Sequence, residues 1–135
     1  MDGVILTSLK RIHNPKGDIL HAMKSSDKGY DGFGEAYFSS INQSDIKGWK
    51  KHSKMTLNLI VPQGAIEFVI YNEYTLEFIS VELSGNNYQR LTVKPNLWLA
   101  FKGVGENNIL LNLANIEHDP SEAEGLDLES IKYDW

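Results

Sequence analysis

The chain has 135 residues, of which 41% are hydrophobic and 23% are charged, as in one ordinary globular domain. The absence of cysteine excludes a disulfide framework and a thiolate zinc site, and a net charge of −5 with scattered lysines excludes a broad nucleic-acid-binding surface. Residues 1–10 lack the pattern of a signal peptide, and no segment approaches the roughly 20 apolar residues of a membrane span. We therefore expect a single cytoplasmic domain over residues 1–135, with neither a membrane nor a nucleic-acid partner.

Ten short apolar segments follow one another, separated by turn residues such as Asn14-Pro15-Lys16-Gly17 and Ser84-Gly85-Asn86-Asn87. The segments are Val4–Leu9, Ile19–Lys24, Ala36–Ile41, Ile46–Trp49, Met55–Val61, Ala65–Tyr71, Leu76–Leu83, Tyr88–Val93, Leu97–Phe101 and Ile109–Ile116. Each has the length of a strand, and Ile66, Phe68 and Ile70 alternate as they would on a sheet with one buried face. This rhythm of strands and turns predicts an all-β sandwich or barrel.

The C-terminal region breaks the rhythm. A helical turn is expected at Pro120–Gly125, where Asp119 is placed to cap it. The tail Leu126–Trp135 is acidic and ends in Tyr133-Asp134-Trp135. Because large aromatic side chains are seldom left in solvent, we expect this end to pack on the same subunit or on a neighbour.

The basic segment 47–54 carries the first candidate site residues. Alternate residues of a strand share a face, so Lys50, His52 and Lys54 should point one way and Trp49 the other. Such a face at a barrel mouth could bind a phosphate-bearing ligand, with His52 available for proton transfer. The alternative is a solvated edge strand whose lysines discourage aggregation. The residues alone leave both interpretations open.

Two further polar groups interrupt apolar strands. Glu35, Tyr37 and Ser39 alternate with apolar residues, and a carboxylate, a phenol and a hydroxyl on one face would suit a ligand site or simply face water. Asn112 stands between leucines, where a buried amide needs hydrogen-bond partners. Those partners are either backbone groups or a ligand.

Taken together, these segments resemble the short subgroup of dTDP-4-dehydrorhamnose 3,5-epimerase-like proteins. The similar stretches, in chain order, are Gly34–Ser39, Ile46–His52, Met55–Asn58, Tyr71, Pro95–Trp98, Asn112, His118–Pro120 and Tyr133–Trp135. The resemblance implies a cupin jelly roll (double-stranded β-helix), usually dimeric, that works without a cofactor. Related enzymes epimerise or isomerise nucleotide-linked 4-keto-6-deoxy sugars destined for surface polysaccharides such as lipopolysaccharide.

The sequence departs from the family at two positions, and from the metal-binding cupins at a third. Lys50 stands where the epimerases carry a catalytic histidine, and the related ketoisomerases have histidines at the positions of both Lys50 and His52. The proton-donating tyrosine of the epimerases falls on or near Leu111. Among metal-binding cupins, a later histidine ligand falls on Leu99, so too few ligands remain and we expect no catalytic metal.

Two hypotheses follow from the resemblance and its departures. The first is a metal-free epimerase or isomerase of a nucleotide-linked, dTDP-type sugar, with His52 and Lys50 as the acid/base pair. Its pocket would be lined by Glu35, Tyr37, Trp49, Asn58 and Asn112. The second is a non-catalytic sugar-nucleotide-binding or assembly cupin that has lost the catalytic residues of the family.

Overall fold

A computed structural model describes residues 1–135, which form twelve strands and two 3-10 turns, Pro120–Glu122 and Leu128–Ser130. The strands are β1 (Val4–Ser8), β2 (Arg11–Ile12), β3 (Ile19–Leu20), β4 (Glu35–Asn42), β5 (Ile46–His52), β6 (Leu57–Gln63), β7 (Ala65–Asn72), β8 (Glu77–Ser84), β9 (Gln89–Val93), β10 (Trp98–Gly103), β11 (Asn107–Ala114) and β12 (Ala123–Gly125). Neither turn has the length and apolar character of a membrane-crossing helix.

Ten of the strands form two antiparallel five-stranded sheets. Sheet A has the order β1-β9-β6-β11-β4, and sheet B has the order β12-β5-β10-β7-β8, while β2 and β3 form a separate hairpin. From β8 to β12 the chain crosses from one sheet to the other at every step, as it does from β4 to β7. The predicted all-β jelly roll is therefore confirmed.

The predicted strands are all present, with one much shortened. The predicted segment Ile19–Lys24 is a strand only over its first two residues, and β2 and β12 were not predicted. The predicted helical turn is right for Pro120–Glu122, where the Asp119 carboxylate accepts a hydrogen bond from the Ser121 N–H at 3.0 Å. It is wrong for Ala123–Gly125, because these residues pair with the edge of β5, which satisfies their backbone groups instead.

The main core lies between the two sheets. Ile66, Phe68 and Ile70 of β7 are fully buried there, as their alternation predicts. They meet inner-face residues of β6 and β9, among them Leu59 and Leu91. This packing holds the sheets together and leaves each with an outer face to be covered.

Loop 21–33 covers the outer face of sheet A. Arg90, with no exposed surface, donates hydrogen bonds to the carbonyls of Ala22 at 2.8 Å and Lys28 at 3.2 Å. The Asn58 amide donates to the Gly29 carbonyl at 3.1 Å and accepts from the Thr92 hydroxyl at 2.6 Å. Polar side chains of the sheet thus fasten a loop that has no regular structure of its own.

The C-terminal tail covers the outer face of sheet B. Trp135 packs on Trp49 with ring centroids 6.2 Å apart, and Tyr133 packs on Phe78 at 5.3 Å. Ile131 completes this second, smaller core with Trp49 and its neighbours. The expectation that the terminal aromatic residues pack is confirmed, on the same subunit.

Candidate active site

A cavity of about 290 Å³ opens between the two sheets. Its walls come from β4, β6 and β11 on one side and from β5 and β10 on the other. The lining residues are Tyr37, Ser39, Lys47, Gly48, Lys50, His52, Leu57, Leu59, Leu99, Phe101, Leu110 and Asn112. An apolar cavity onto which a few polar groups converge is typical of a small-molecule site.

A bulge in β5 brings two cations into this cavity. Leu99 pairs with Lys50 and Phe101 with Lys47, so three steps along β5 match two steps along β10. Lys47 and Lys50 consequently face the cavity together, although strict alternation would separate them. The Lys47 ammonium donates to the Ser40 carbonyl at 2.8 Å, whereas Lys50 takes part in none of the salt bridges of the chain.

His52 is oriented by a buried carboxylate. Its Nδ1 forms a hydrogen bond with the carboxylate of Glu122, and the His52 and Glu122 side chains are 11% and 2% exposed. An ionised carboxylate can only accept, so Nδ1 carries the proton. In the neutral ring this leaves Nε2 unprotonated and available as a base toward the cavity that His52 lines.

The charge on Glu122 is held by several donors. The other carboxylate oxygen accepts from the backbone N–H groups of Lys54 at 3.0 Å and Met55 at 3.2 Å. Burial alone would raise the pKa of Glu122, but the hydrogen bonds from His52, Lys54 and Met55 outweigh it and bring that pKa below its ordinary value. The carboxylate is therefore ionised near neutral pH and stabilises a positive charge on the imidazole.

A phenol faces the cavity from the opposite sheet. Tyr37 lies directly across from Asn112 in the β4–β11 ladder, and the Asn112 amide donates to the Tyr37 oxygen at 3.0 Å. Asn112 is 1% exposed, and its carbonyl oxygen accepts from the Asn58 N–H at 3.2 Å. The buried amide thus has the partners it requires, and it orients Tyr37.

The structure brings together four of the seven predicted site residues: His52, Lys50, Tyr37 and Asn112. Glu35 is on the same face of β4 as Tyr37 but is not among the lining residues. Two predictions of pocket lining are wrong. Trp49 faces the outer side of sheet B, as alternation along β5 requires, and Asn58 faces the outer side of sheet A, beneath loop 21–33.

Sequence reasoning missed Glu122. It lies 70 residues from His52 and meets it only because the chain returns to the edge of β5 as β12. The one local indication was the turn after Asp119, which places Glu122 just before an extended segment. Nowhere does the chain assemble three or more His, Asp or Glu side chains in a group able to hold a metal ion.

Replacing Glu122 by glutamine tests the ionised carboxylate. Because the pKa of Glu122 in the folded chain is below the ordinary value of 4.5, its stabilisation is complete at neutral pH and is lost as pH falls below 4.5. We expect wild type to exceed Glu122→Gln in free energy of unfolding at pH 7, with the difference shrinking steadily below pH 4.5. Urea unfolding across this range measures it, and a difference independent of pH would contradict the assignment.

The fold and cavity have counterparts among solved structures. Scans of family models and of curated proteins found no match. A dTDP sugar isomerase from Desulfovibrio desulfuricans G20 is 29% identical and superposes with a TM-score of 0.91, over 96% of this chain and 87% of that one. A sugar 3,4-ketoisomerase from Thermoanaerobacterium thermosaccharolyticum, solved with TDP, is 21% identical with a TM-score of 0.80, over 92% and 88%. A dTDP-4-dehydrorhamnose 3,5-epimerase from Sulfolobus tokodaii is 19% identical with a TM-score of 0.86, over 98% and 82%.

These neighbours confirm the resemblance seen in the sequence. They share the whole fold rather than a part of it, since each comparison spans more than nine-tenths of this chain. All three are isomerases or epimerases, which is consistent with an enzyme of the isomerase class. The chain thus shares the whole fold of dTDP-sugar isomerases and epimerases, and it is 29% identical to one of these isomerases.

Proposed function

We propose that this protein is an epimerase or isomerase of a dTDP-linked 4-keto-6-deoxy sugar and that His52 is its base. The observation that carries the proposal is the His52–Glu122 pair, in which Nδ1 bonds to the carboxylate and leaves Nε2 as the possible base, at the wall of the cavity. The dTDP sugar isomerase at 29% identity and the TDP complex of the ketoisomerase support the substrate class.

The proposed chemistry starts with the carbon next to the ketone. The Nε2 of His52 removes its proton, and the C–H electron pair moves into the carbonyl to form an enolate. Glu122 stabilises the resulting imidazolium through Nδ1, in the way a carboxylate supports a catalytic histidine elsewhere. No metal or cofactor is required for this step.

We assign Lys50 to stabilisation of the enolate, in place of the acid/base role expected from the sequence. Its ammonium faces the cavity beside His52 and is committed to no carboxylate of the chain. A cation aimed at the developing oxyanion lowers the barrier to enolate formation. Lys47, anchored on the Ser40 carbonyl and 5.8 Å from the Phe101 ring centroid, adds positive charge for the diphosphate of the substrate.

Tyr37 is placed to return the proton. It lies on sheet A, while His52 lies on sheet B, so the two side chains approach a ligand from opposite walls of the cavity. Return of a proton from the Tyr37 side inverts the carbon. Moving the ketone instead requires three further proton transfers: the C4 enolate oxygen gains a proton, the C3 hydroxyl loses one and C4 is protonated, which is the 3,4-ketoisomerase outcome.

The cellular setting of the proposal follows from the family resemblance. We infer that the protein works in the cytoplasm, where nucleotide sugars are made, and that its product supplies a deoxy sugar to a surface polysaccharide such as lipopolysaccharide. The family also suggests a homodimer. The eight-residue strand β4 supports this, because it forms a free edge of sheet A and its own residue Phe38 is 69% exposed.

Solvent exchange tests the base. In deuterated water with dTDP-4-keto-6-deoxyglucose, wild type should incorporate deuterium at C3 or C5, or shift the ketone, as seen by NMR of the sugar. His52→Asn should slow this by about 100-fold or more, since a positioned general base contributes that much. The matched control is His13→Asn, because His13 is an exposed loop histidine bonded to Asp18, outside the cavity.

The same experiment separates the two hypotheses. Binding of dTDP without exchange or a new product would identify a non-catalytic binding module. Equal exchange by wild type and His52→Asn would reject His52 as the base while leaving the substrate class intact.

Replacing Tyr37 by phenylalanine tests the proton donor. Tyr37→Phe should slow inversion of the carbon by about 100-fold, the contribution of one general acid, while His52 still exchanges the proton that it removes. Tyr30→Phe is the control, because that partly exposed phenol does not line the cavity. Inversion at the wild-type rate in Tyr37→Phe would show that another group delivers the proton.

Light scattering tests the homodimer. The eluting species should have twice the 15.3 kDa mass of the chain, and Phe38→Glu should reduce it toward the mass of one chain, because a charge replaces an apolar contact. Tyr74→Glu, at an equally exposed aromatic on the β7–β8 turn, is the control. A wild-type monomer at micromolar concentration would reject the dimer.

A further inference from the structure

We propose that Trp49 is a positioning residue, which docks the C-terminal tail and thereby holds Glu122 against His52. The inference rests on the proposed function for its consequence in catalysis, but its structural content can be tested without substrate. It concerns the outer face of sheet B, which the reaction itself does not use.

Glu122 is fixed mainly through the turn that follows His52. Its carbonyl accepts from the Ser53 N–H at 2.8 Å and from the Ser53 hydroxyl at 2.9 Å. Its carboxylate accepts from the N–H groups of Lys54 and Met55. The His52–Glu122 geometry therefore depends on how firmly the chain around residue 122 is held on the end of β5.

The strand that follows is short. β12 contains three residues, paired as Ala123 with His52, Glu124 with Lys51 and Gly125 with Lys50, and Glu124 and Gly125 are exposed. So short an edge strand contributes little stability by itself. It needs a second attachment to remain in place.

That attachment is Trp49. Its backbone carbonyl accepts from the Leu126 N–H at 3.0 Å, and its indole N–H donates to the Leu128 carbonyl at 3.1 Å. Ile131 and Trp135 then pack on the indole, which is only 2% exposed. The tail thus forms hydrogen bonds with Trp49 directly after β12, and the end of the tail packs on the Trp49 ring.

Alternation along β5 places this attachment on the same strand as the cavity residues. Lys50 and His52 face the cavity, and Trp49, immediately before Lys50, faces the tail. One strand therefore carries the histidine on one face and the anchor of its orienting carboxylate on the other. Loosening the tail should free β12 first and the Glu122 turn with it.

Hydrogen exchange on the full-length protein tests this coupling. Trp135→Ala removes one ring from the anchor at the very end of the chain, and Trp49→Phe keeps an aromatic ring but loses the bond to Leu128. Both should speed exchange of the Ser53, Lys54 and Met55 amides about tenfold, while the β7 amides of Phe68 and Ile70 stay protected, as in local opening. Tyr74→Ala is the control, because Tyr74 is an exposed aromatic on the β7–β8 turn that makes no ring contact with the tail.

A proton spectrum gives a second measurement. The Nδ1–H of His52, held by the carboxylate, should give a far-downfield resonance that is absent in Glu122→Gln and broadened in Trp135→Ala and Trp49→Phe. In turnover assays both variants should lower kcat several-fold with KM for the sugar nucleotide unchanged, as expected for loss of orientation rather than of binding.

The outcomes separate the proposals. Protection lost equally at residues 53–55 and in β7, or unchanged at both, would overturn the role of Trp49. Absence of turnover in wild type would reject the proposed function, and the exchange data would still decide whether the tail holds Glu122.

Discussion

The hydrogen bond between His52 and Glu122 is the interaction on which the site depends. A buried carboxylate that loses its partner costs about 3–5 kcal/mol, so Glu122 tolerates burial only because His52 and the N–H groups of Lys54 and Met55 all point at it. Those donors belong to one turn, so the carboxylate fixes the imidazole and the backbone that carries it. The neutral ring is thereby set in the tautomer whose Nε2 can accept a proton.

Strand β5 links that bond to the rest of the molecule. Its inner face supplies His52 and Lys50, its outer face supplies Trp49 and Lys51, and its edge pairs with β12. Lys51 belongs to a separate outer group, where it bonds to Glu73 at 2.6 Å and lies over the Trp98 ring at 4.9 Å. The two neighbouring lysines therefore differ. The hydrogen bond to Glu73 raises the pKa of Lys51 and fixes its position, whereas Lys50 forms no salt bridge in the chain.

The sequence predicted what depends on local pattern. Turn residues and alternation predicted the strands, and alternation placed Lys50 and His52 on one face with Trp49 on the other. Trp49 was assigned to the pocket because of the family resemblance, although alternation placed it on the opposite face. The structure agrees with the alternation. Glu122 was not predicted because its contact with His52 depends on the pairing of β12 with the edge of β5. No local sequence pattern indicates that pairing. Asn58 was misplaced because loop 21–33 makes an outer face as buried as the inner one.

The β4–β11 register explains where the residues that depart from the family pattern lie relative to the cavity. Strand β11 supplies Leu110 and Asn112 to the cavity, and Leu111 between them points away from it. No tyrosine of β11 therefore faces the cavity. On the neighbouring strand β4, Tyr37 pairs with Asn112 and receives its amide hydrogen bond, so a phenol does line the cavity. Lys50 in place of histidine puts a lysine side chain beside His52 in the cavity lining. Under the proposed function, a cavity with one oriented histidine, one phenol and one lysine still contains the kinds of group that enolate chemistry needs, so these substitutions are compatible with a changed division of roles.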